Sequence, residues 1–512
     1  MPLSAQSSWA LHIAQNGLLV WLSFILSPLT TGILLVNSVL SWFHEPPQLQ
    51  ERSYLRAQPS HIFQPRTVLV TGVGMSKGLV LARIFYQAGH NVVGADFEPL
   101  LLPISCGRVS TSLKTFYRLP SPAGRTKCAE RYAQRLVSII RREKIDLWVS
   151  CSGVASALED GYAKELVERL TRCKAVQFDV ATTQQLHEKH SFIDHARDLG
   201  LPTPETYTVH SKKALSKVLE RSSGNGKQYI LKYIGTDDSV RGDMTLLPKE
   251  TREATETHIA RLPISDERPW ILQQYIDGPE YCTHSLVVRG EIKAFVACPS
   301  AELLMHYTAL PPKSSLSQTM LRFTREIANA AGENFTGHLS FDFLVNQQDA
   351  RRAQTVSSAS VKIYPIECNP RAHTAGLLFH QTPELAGAYL SLLSRAPSHL
   401  FPPAPPAVVP EPLYPASPSK HYWIGHDLLV KLIIPCILGL LGRSQGLRHI
   451  RREAHDFVQH IIYWRDGIWE SWDPWPAWWL YHVYWPYQFL VAMIFGRKWS
   501  RVNISTCKMF MC

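Results

Sequence analysis

No aspartate, glutamate, lysine or arginine occurs before Glu45, although such residues make up 19% of this 512-residue chain. The uncharged stretch NGLLVWLSFILSPLTTGILLVNSVLSWF, residues 16–43, exceeds the ~20 residues that cross a bilayer as a helix. Trp21 and Trp42 suit the two interfaces of such a span. A cleaved signal peptide needs a basic leading segment and a shorter apolar run, and both are missing. The first cations, Arg52, Arg56 and Arg66, follow the stretch, so the positive-inside tendency predicts a single-pass membrane anchor with the bulk of the chain in the cytosol. The rival reading is a buried or peripheral helix hairpin broken at Pro28. The 10 cysteines form no CxxC pair and no framework spacing, which excludes a disulfide-stapled scaffold and fits free thiols in a reducing compartment. Zinc-finger spacings and basic clusters interleaved with aromatics are absent too. Nucleic acid is therefore disfavoured as a partner despite a net charge of +11. What the chain has in excess is tryptophan, 14 residues, and length: at ~150 residues each it holds roughly three domains.

Residues 46–65 read as a polar, proline-containing linker. RTVLVTGVGMSKGLVLARIFYQAGHNVVGADFEP then sets a β-branched run, a glycine turn, a helical stretch and a second strand in βαβ order. Gly72, Gly74 and Gly78 resemble a dinucleotide fingerprint, with Asp96 where a ribose-binding acid would stand. The third glycine is one place late, however, and Lys77 occupies its slot. The match to the fingerprint is therefore incomplete. With the strand-loop-helix of KIDLWVSCSGVASALEDGYAKELVERL, residues 66–181 form a small doubly wound α/β domain.

Residues 182–400 read as α+β. QYILKYIGTDDSVRGDMTLL suggests a hairpin around a polar loop, a second hairpin turns at Arg289-Gly290, and a helix ends at Gly332. Two strands, GHLSFDFLVN and SVKIYPIECNP, are joined by a flexible polar insertion at 347–360. A proline-rich linker, 401–420, leads to a basic, aromatic C-terminal extension, 421–512. Its uncharged segment PWPAWWLYHVYWPYQFLVAMIFG, residues 474–496, enters or lies on a membrane, or packs on the protein itself. The expected fold class is thus α/β plus α+β behind an N-terminal membrane helix of residues 1–45.

YPIECNPR sets an acid, an amide and a guanidinium at alternate positions, Glu367, Asn369 and Arg371. Alternate residues of a strand share a face, so that face offers two oxygen ligands and a fixed cation, a set suited to magnesium and phosphate. Asp342 of GHLSFDF is a natural neighbour on the adjoining strand. Its repulsion with Glu367 calls for a divalent cation. Upstream, YILKYIG buries Lys232 in an apolar strand, which is costly unless the ammonium meets an anion. QQYIDGPE then offers an edge backbone at Gln274, Tyr275 and Ile276 for a base, and a carboxylate, Glu280, for ribose hydroxyls.

In this order the residues resemble the ATP-grasp superfamily, over residues 182–378. The resemblance rests on Glu188-Lys189, on GLPTPET at 200–206, on Lys232, on a loop at 235–245, on QQYI with Glu280, and on Asp342, Glu367 and Asn369. It implies the cofactors ATP and Mg2+, with Asp342, Glu367 and Asn369 holding the metal. Lys189, Lys232, Arg241, Gln273, Gln274, Tyr275, Ile276 and Glu280 would hold ATP. Arg371 would face the group being phosphorylated and, with Lys232, act in catalysis, while the preceding α/β domain helps hold the second substrate, in this chain through Gly72, Gly74 and Gly78. The implied reaction phosphorylates a carboxylate or enolate of a small molecule, which an amine or amino acid then attacks. ECNPR, WDPWP and the closing GRKWSRVNISTCKMF look most like ATP-grasp enzymes of natural-product pathways, such as mycosporine-glycine synthase. Two departures stand out: the loop is glycine-poor, and Gln273 replaces an acid common in the family. His338 and His373 read as structural histidines or as bases. The rival functions are an NAD-dependent oxidoreductase built on the Gly72 turn and a membrane protein with a degenerate nucleotide site.

Overall fold

The computed structural model of the protein describes all residues except 1–2, 44–45, 100–101, 123–125, 152, 154–155, 223–225, 234–244, 301–304, 356–359, 395–409, 417–419, 441 and 443–445. The uncharged N-terminal stretch is one helix, Trp9–Phe43, with Pro28 inside it, so the break expected of a hairpin is not there. Its segment Trp9–Ser41 is long and apolar enough to cross a membrane. Phe24, Leu29, Leu35 and Leu40 are exposed along it. In water such a row forgoes about 25 cal/mol for each Å² left unburied, a cost that a bilayer removes. The segment 46–65 is not all linker: Pro47, at a position where a missing N–H costs nothing, opens a helix, Pro47–Ala57. Arg52 on that helix stacks 3.7 Å above the Tyr86 ring.

Five parallel strands follow, β1 (Thr67–Thr71), β2 (Asn91–Phe97), β3 (Thr115–Leu119), β4 (Leu147–Val149) and β5 (Lys174–Val176), in the order β3-β2-β1-β4-β5. Val68 and Val70 pack with the helix Ser76–Gln87 on one face. Leu69, pointing the other way, packs with the helices Thr126–Glu143 and Ala157–Leu170. Burial on both faces is what a parallel sheet wrapped by crossover helices requires.

The next strands build two antiparallel sheets. The first holds β6 (Thr206–Val209), β7 (Tyr229–Tyr233), β8 (Leu246–Leu247) and β9 (Trp270–Gln274), in the order β6-β9-β7-β8. The second opens with β10 (Glu280–Val288) and β11 (Glu291–Pro299), joined at Arg289 and Gly290, both at positive φ, as tight hairpins demand. β12 (Tyr307–Thr308) leaves it, and β13 (Gly337–Val345) and β14 (Ile363–Asn369) complete it in the order β11-β10-β13-β14. The insertion expected to be flexible at 347–360 contains a helix, Gln347–Thr355, whose start is capped by Asn346 Oδ1 accepting from the Gln348 N–H.

Beyond residue 409 the chain returns to the body of the protein. β15 (Lys420–Tyr422) and β16 (Arg465–Asp466) join β12 in a small sheet ordered β12-β15-β16, and β17 (Trp499–Asn503) pairs with β18 (Lys508–Met511). The aromatic segment 474–496 lies along the N-terminal helix. Trp478 Nε1 donates to Thr31 Oγ1 at 3.1 Å, His482 lies 2.8 Å from Thr30 Oγ1, and Trp499 Nε1 donates to Asn16 Oδ1 at 2.8 Å. Most of the expected linker 401–420 lies outside the described residues.

Candidate functional site

On β13 and β14 Asp342 stands opposite Glu367, and Ser340 opposite Asn369. Opposite residues in an antiparallel pair share a face, so the three oxygen donors gather on one side. Phe341, Phe343 and Cys368 enter the core on the other. Asn369 Nδ2 donates to Asp342 Oδ2 at 3.0 Å. The Asn369 Oδ1 atom is buried without a hydrogen-bond partner. Glu280 stands at the exposed start of β10, two residues before Cys282, which is opposite Asp342.

Cations reach this face from three elements. Lys189, the first residue of the helix Lys189–Asp198, pairs with Glu367 at 3.2 Å. Lys232 on β7 donates to Gln273 Oε1 on β9 at 2.6 Å. Arg371 lies just past β14, where its N–H closes a turn on the Asn369 carbonyl at 2.8 Å, and its Nη1 is buried and unpartnered.

The crowding shifts every carboxyl. Burial, then the Glu367 and Glu280 carboxylates, push Asp342 up to about 8, although part of its surface stays open to solvent. Burial and the Glu367 charge also raise Glu280. Burial opposes ionisation of Glu367 as well, but Lys189 above all, with Arg371 and Lys232, outweighs it and holds that carboxyl below the usual range. Lys232 is lowered to about 8 by burial and by Lys189. Burial first, and the neighbouring carboxylates second, favour the protonated form of Asp342, and a divalent cation bound there would favour the carboxylate instead.

Lys77, which in the sequence only interrupts the glycine spacing, is a further cation near Arg371. It is buried, donates to the Ala372 carbonyl at 2.8 Å, and is lowered to about 7 by burial and by Arg371 beside it. Its signal was a lysine in the glycine slot of an otherwise apolar helix start. The glycines themselves build a closed turn. Gly72 takes φ +75°, and a Cβ on Gly78 would come 2.2 Å from the Gly72 carbonyl oxygen. Gly74 N–H donates to Asp96 Oδ2 at 2.5 Å. The C-terminal tail covers the turn: Ser76 N–H donates to the Ser505 carbonyl, and Cys507 Sγ donates to the Gly74 carbonyl at 3.1 Å. Asp96 is thus committed to the turn rather than to a ribose, and the helix N-terminus is occupied by protein. The geometry gives no support to a dinucleotide site.

The base-binding edge also needs correction. β9 is interior, paired with both β6 and β7, and the Gln274 and Tyr275 N–H groups donate to the carbonyls of Glu205 and Gln228. The N–H groups of Gln274 and Tyr275 are therefore not free for a base. Arg241 and most of the loop at 235–245 lie outside the described residues. His338 is buried against the Tyr389 hydroxyl at 2.6 Å. His373 accepts from the Ala375 N–H at 3.1 Å, and its ring, Cys282 Sγ and an Asp342 oxygen lie within 4.8 Å of one another. Burial holds both imidazoles well below the usual pKa, so they remain neutral.

No protein-family model and no curated protein matches the chain. Among solved structures it is similar to the L-amino acid ligase from Bacillus licheniformis, at 12% identity over 61% of this chain and 68% of that one, with a TM-score of 0.39. It is similar to N5-carboxyaminoimidazole synthetase from Staphylococcus aureus complexed with ADP, at 14% identity over 62% and 73%, TM-score 0.42. A third is the biotin carboxylase domain of Hydrogenobacter thermophilus 2-oxoglutarate carboxylase, in complex with MgADP, ADP and bicarbonate, at 12% identity over 65% and 71%, TM-score 0.43. At these scores the likeness assigns no activity, and the site must be read from its own residues.

Proposed function

We propose that the protein is an ATP-dependent ligase of the ATP-grasp type, held at a membrane by its N-terminal helix with the catalytic part in the cytosol. The observation that carries this reading is the oxygen face of β13 and β14. Asn369 Oδ1 and Arg371 Nη1, an acceptor and a donor, are both buried there without partners, beside carboxylates that repel one another. Buried polar groups are ordinarily satisfied, and a face left unsatisfied in both senses fits a ligand carrying cation and anion together. Asp342, Glu367 and Asn369 would hold magnesium, which when bound supplies the positive charge that phosphate oxygens need in transfer. Lys189 and Lys232 present ammonium groups to the same phosphates, and Glu280 lies at the mouth for ribose hydroxyls. Gln273 orients Lys232.

Arg371 faces the acceptor. Its planar fork is suited to the oxygens of a carboxylate or enolate as charge moves onto them. The amine or amino acid enters last and displaces the phosphate. Lys77, next to Arg371, makes the Gly72 turn the wall of the second-substrate pocket through its side chain rather than through glycine amides. A place in natural-product biosynthesis rests on the sequence resemblance alone.

Thermal denaturation of the detergent-solubilised chain tests the proposal. ATP with magnesium should raise the midpoint, because ligand that binds only the folded state stabilises it, while NAD should leave it unmoved. The reverse pattern would establish the oxidoreductase reading instead. ADP release that depends on an added amine separates a ligase from a degenerate binding protein.

A further inference from the structure

A second polar cluster shares no residue with the nucleotide face and is independent of the ligase reading. The small sheet β12-β15-β16 gathers three distant segments. His306 immediately precedes β12, His426 and Asp427 follow β15, and His460 comes shortly before β16. The Asp427 carboxylate is fully buried. His306 Nε2 stands 2.9 Å from its Oδ1, His460 Nδ1 2.5 Å from its Oδ2, and His426 Nδ1 3.1 Å from its Oδ1. Donor atoms of His306, Asp427 and His460 all lie within 4.8 Å of one another. Trp464 and Tyr422 wall the His460 ring.

Among the described residues no lysine or arginine pairs with Asp427. Lys431, one turn on, is taken by Glu453 and Asp456. Among the described residues the buried Asp427 carboxylate is thus met only by imidazole nitrogens, from three separate sides. Two imidazole nitrogens and one carboxylate converging on a point form the set that binds divalent first-row metals, zinc foremost, with a further position left open.

We propose that His306, Asp427 and His460 bind a zinc-class divalent cation, with His426 orienting the Asp427 carboxylate from outside the coordination sphere. Such an ion fastens the C-terminal extension, which supplies Asp427 and His460, to the segment at His306 that follows β11. The nucleotide face offers oxygens to a harder ion, so the two sites select different metals.

The test uses the full-length chain purified in detergent without chelator. Elemental analysis should find zinc at one equivalent per chain, and cobalt(II) replacing it should give visible d–d absorption. Asp427→Asn and His460→Gln should abolish both signals, His426→Ala should weaken zinc binding about 10–100-fold, and His449→Gln on the same helix as His460 should change nothing. Because the variants risk misfolding, the wild-type chain decides first. If it retains no metal after zinc reconstitution and dialysis, and shows no cobalt spectrum, the cluster is a hydrogen-bonded one and the proposal is overturned. Retention of metal by a folded Asp427→Asn, His460→Gln double variant overturns the ligand assignment equally.

Discussion

Two charged clusters, one buried at Asp473 and one half-buried at Glu367, use similar residues to opposite ends. Asp473 of WDPWP is fully buried, and each of its oxygens is occupied. Arg83 Nε donates to Oδ2 at 2.8 Å, Ser110 Oγ to Oδ2 at 2.6 Å, the Thr111 N–H to Oδ1 at 2.8 Å, and Arg83 Nη2 to the Asp473 carbonyl at 2.8 Å. The remaining arm of Arg83 reaches the Ile468 carbonyl at 2.7 Å. Nothing is left over for a ligand, and the cluster locks the C-terminal extension onto the α/β sheet. Around Glu367 the carboxylates crowd one another, and an amide oxygen and a guanidinium nitrogen stay unpartnered. A buried charge that is fully paired marks architecture, while one assembled but left incomplete marks a place for something else.

Substitutions at the two clusters should therefore fail differently. The largest effect is expected from Asp473→Ala, which leaves Arg83 buried and uncompensated at a cost of about 3–5 kcal/mol. Loss of the folded chain on heating or limited proteolysis is the readout, and unchanged resistance would show that the extension is only loosely held. Glu367→Gln should do the opposite, leaving stability nearly intact while magnesium-dependent nucleotide affinity falls at least about tenfold, one charge-assisted contact of ~1.5–3 kcal/mol. Excess magnesium should partly restore its rate. Arg371→Lys keeps the charge but loses the fork, so its defect should appear in turnover and ignore magnesium. Rescue of Arg371→Lys but not of Glu367→Gln would reverse the two roles.

A pH effect is expected at the same face. A carboxyl whose pKa rises on folding favours the folded state while it is protonated. The contribution of Asp342 is thus full below 3.8 and is lost as pH rises toward about 8. Metal-free wild type should lose stability across that window relative to Asp342→Asn, and magnesium should offset the loss at the alkaline end. Parallel profiles for the two proteins would contradict the crowding inferred at this face. Smallest is His482→Ala, which removes the side-chain contact to Thr30 between the C-terminal segment and the N-terminal helix, worth ~1 kcal/mol. It should loosen the pair to proteolysis without touching nucleotide affinity.

Local pattern makes the β14 face legible in the sequence, because alternation puts Glu367 and Asn369 on one side of a strand. Asp342 follows because two carboxylates on adjoining strands need a reason to meet. What sequence does not show is strand order. β9 reads as an open edge because its residues look the same at an edge or in the interior, yet β6 and β7 take its amides. The Gly72 turn misleads for a related reason, since nothing local reveals that Ser505 and Cys507, more than 400 residues away, close over it. Lys77 is visible in the sequence but gains a meaning only with Arg371 and Ala372 next to it. The histidines around Asp427 come from segments with no spacing motif at all, and only the small sheet brings them together.

Equilibrium binding of ATP to the full-length chain, in magnesium and in chelator, measures most directly whether the incomplete cluster is a nucleotide site. Binding should be tight in magnesium and at least about tenfold weaker without it. In Lys232→Ala, which removes the ammonium proposed to meet the phosphates, it should be weak in both conditions. Affinity indifferent to both magnesium and Lys232, or no binding at all by the folded wild-type chain, would contradict the assignment.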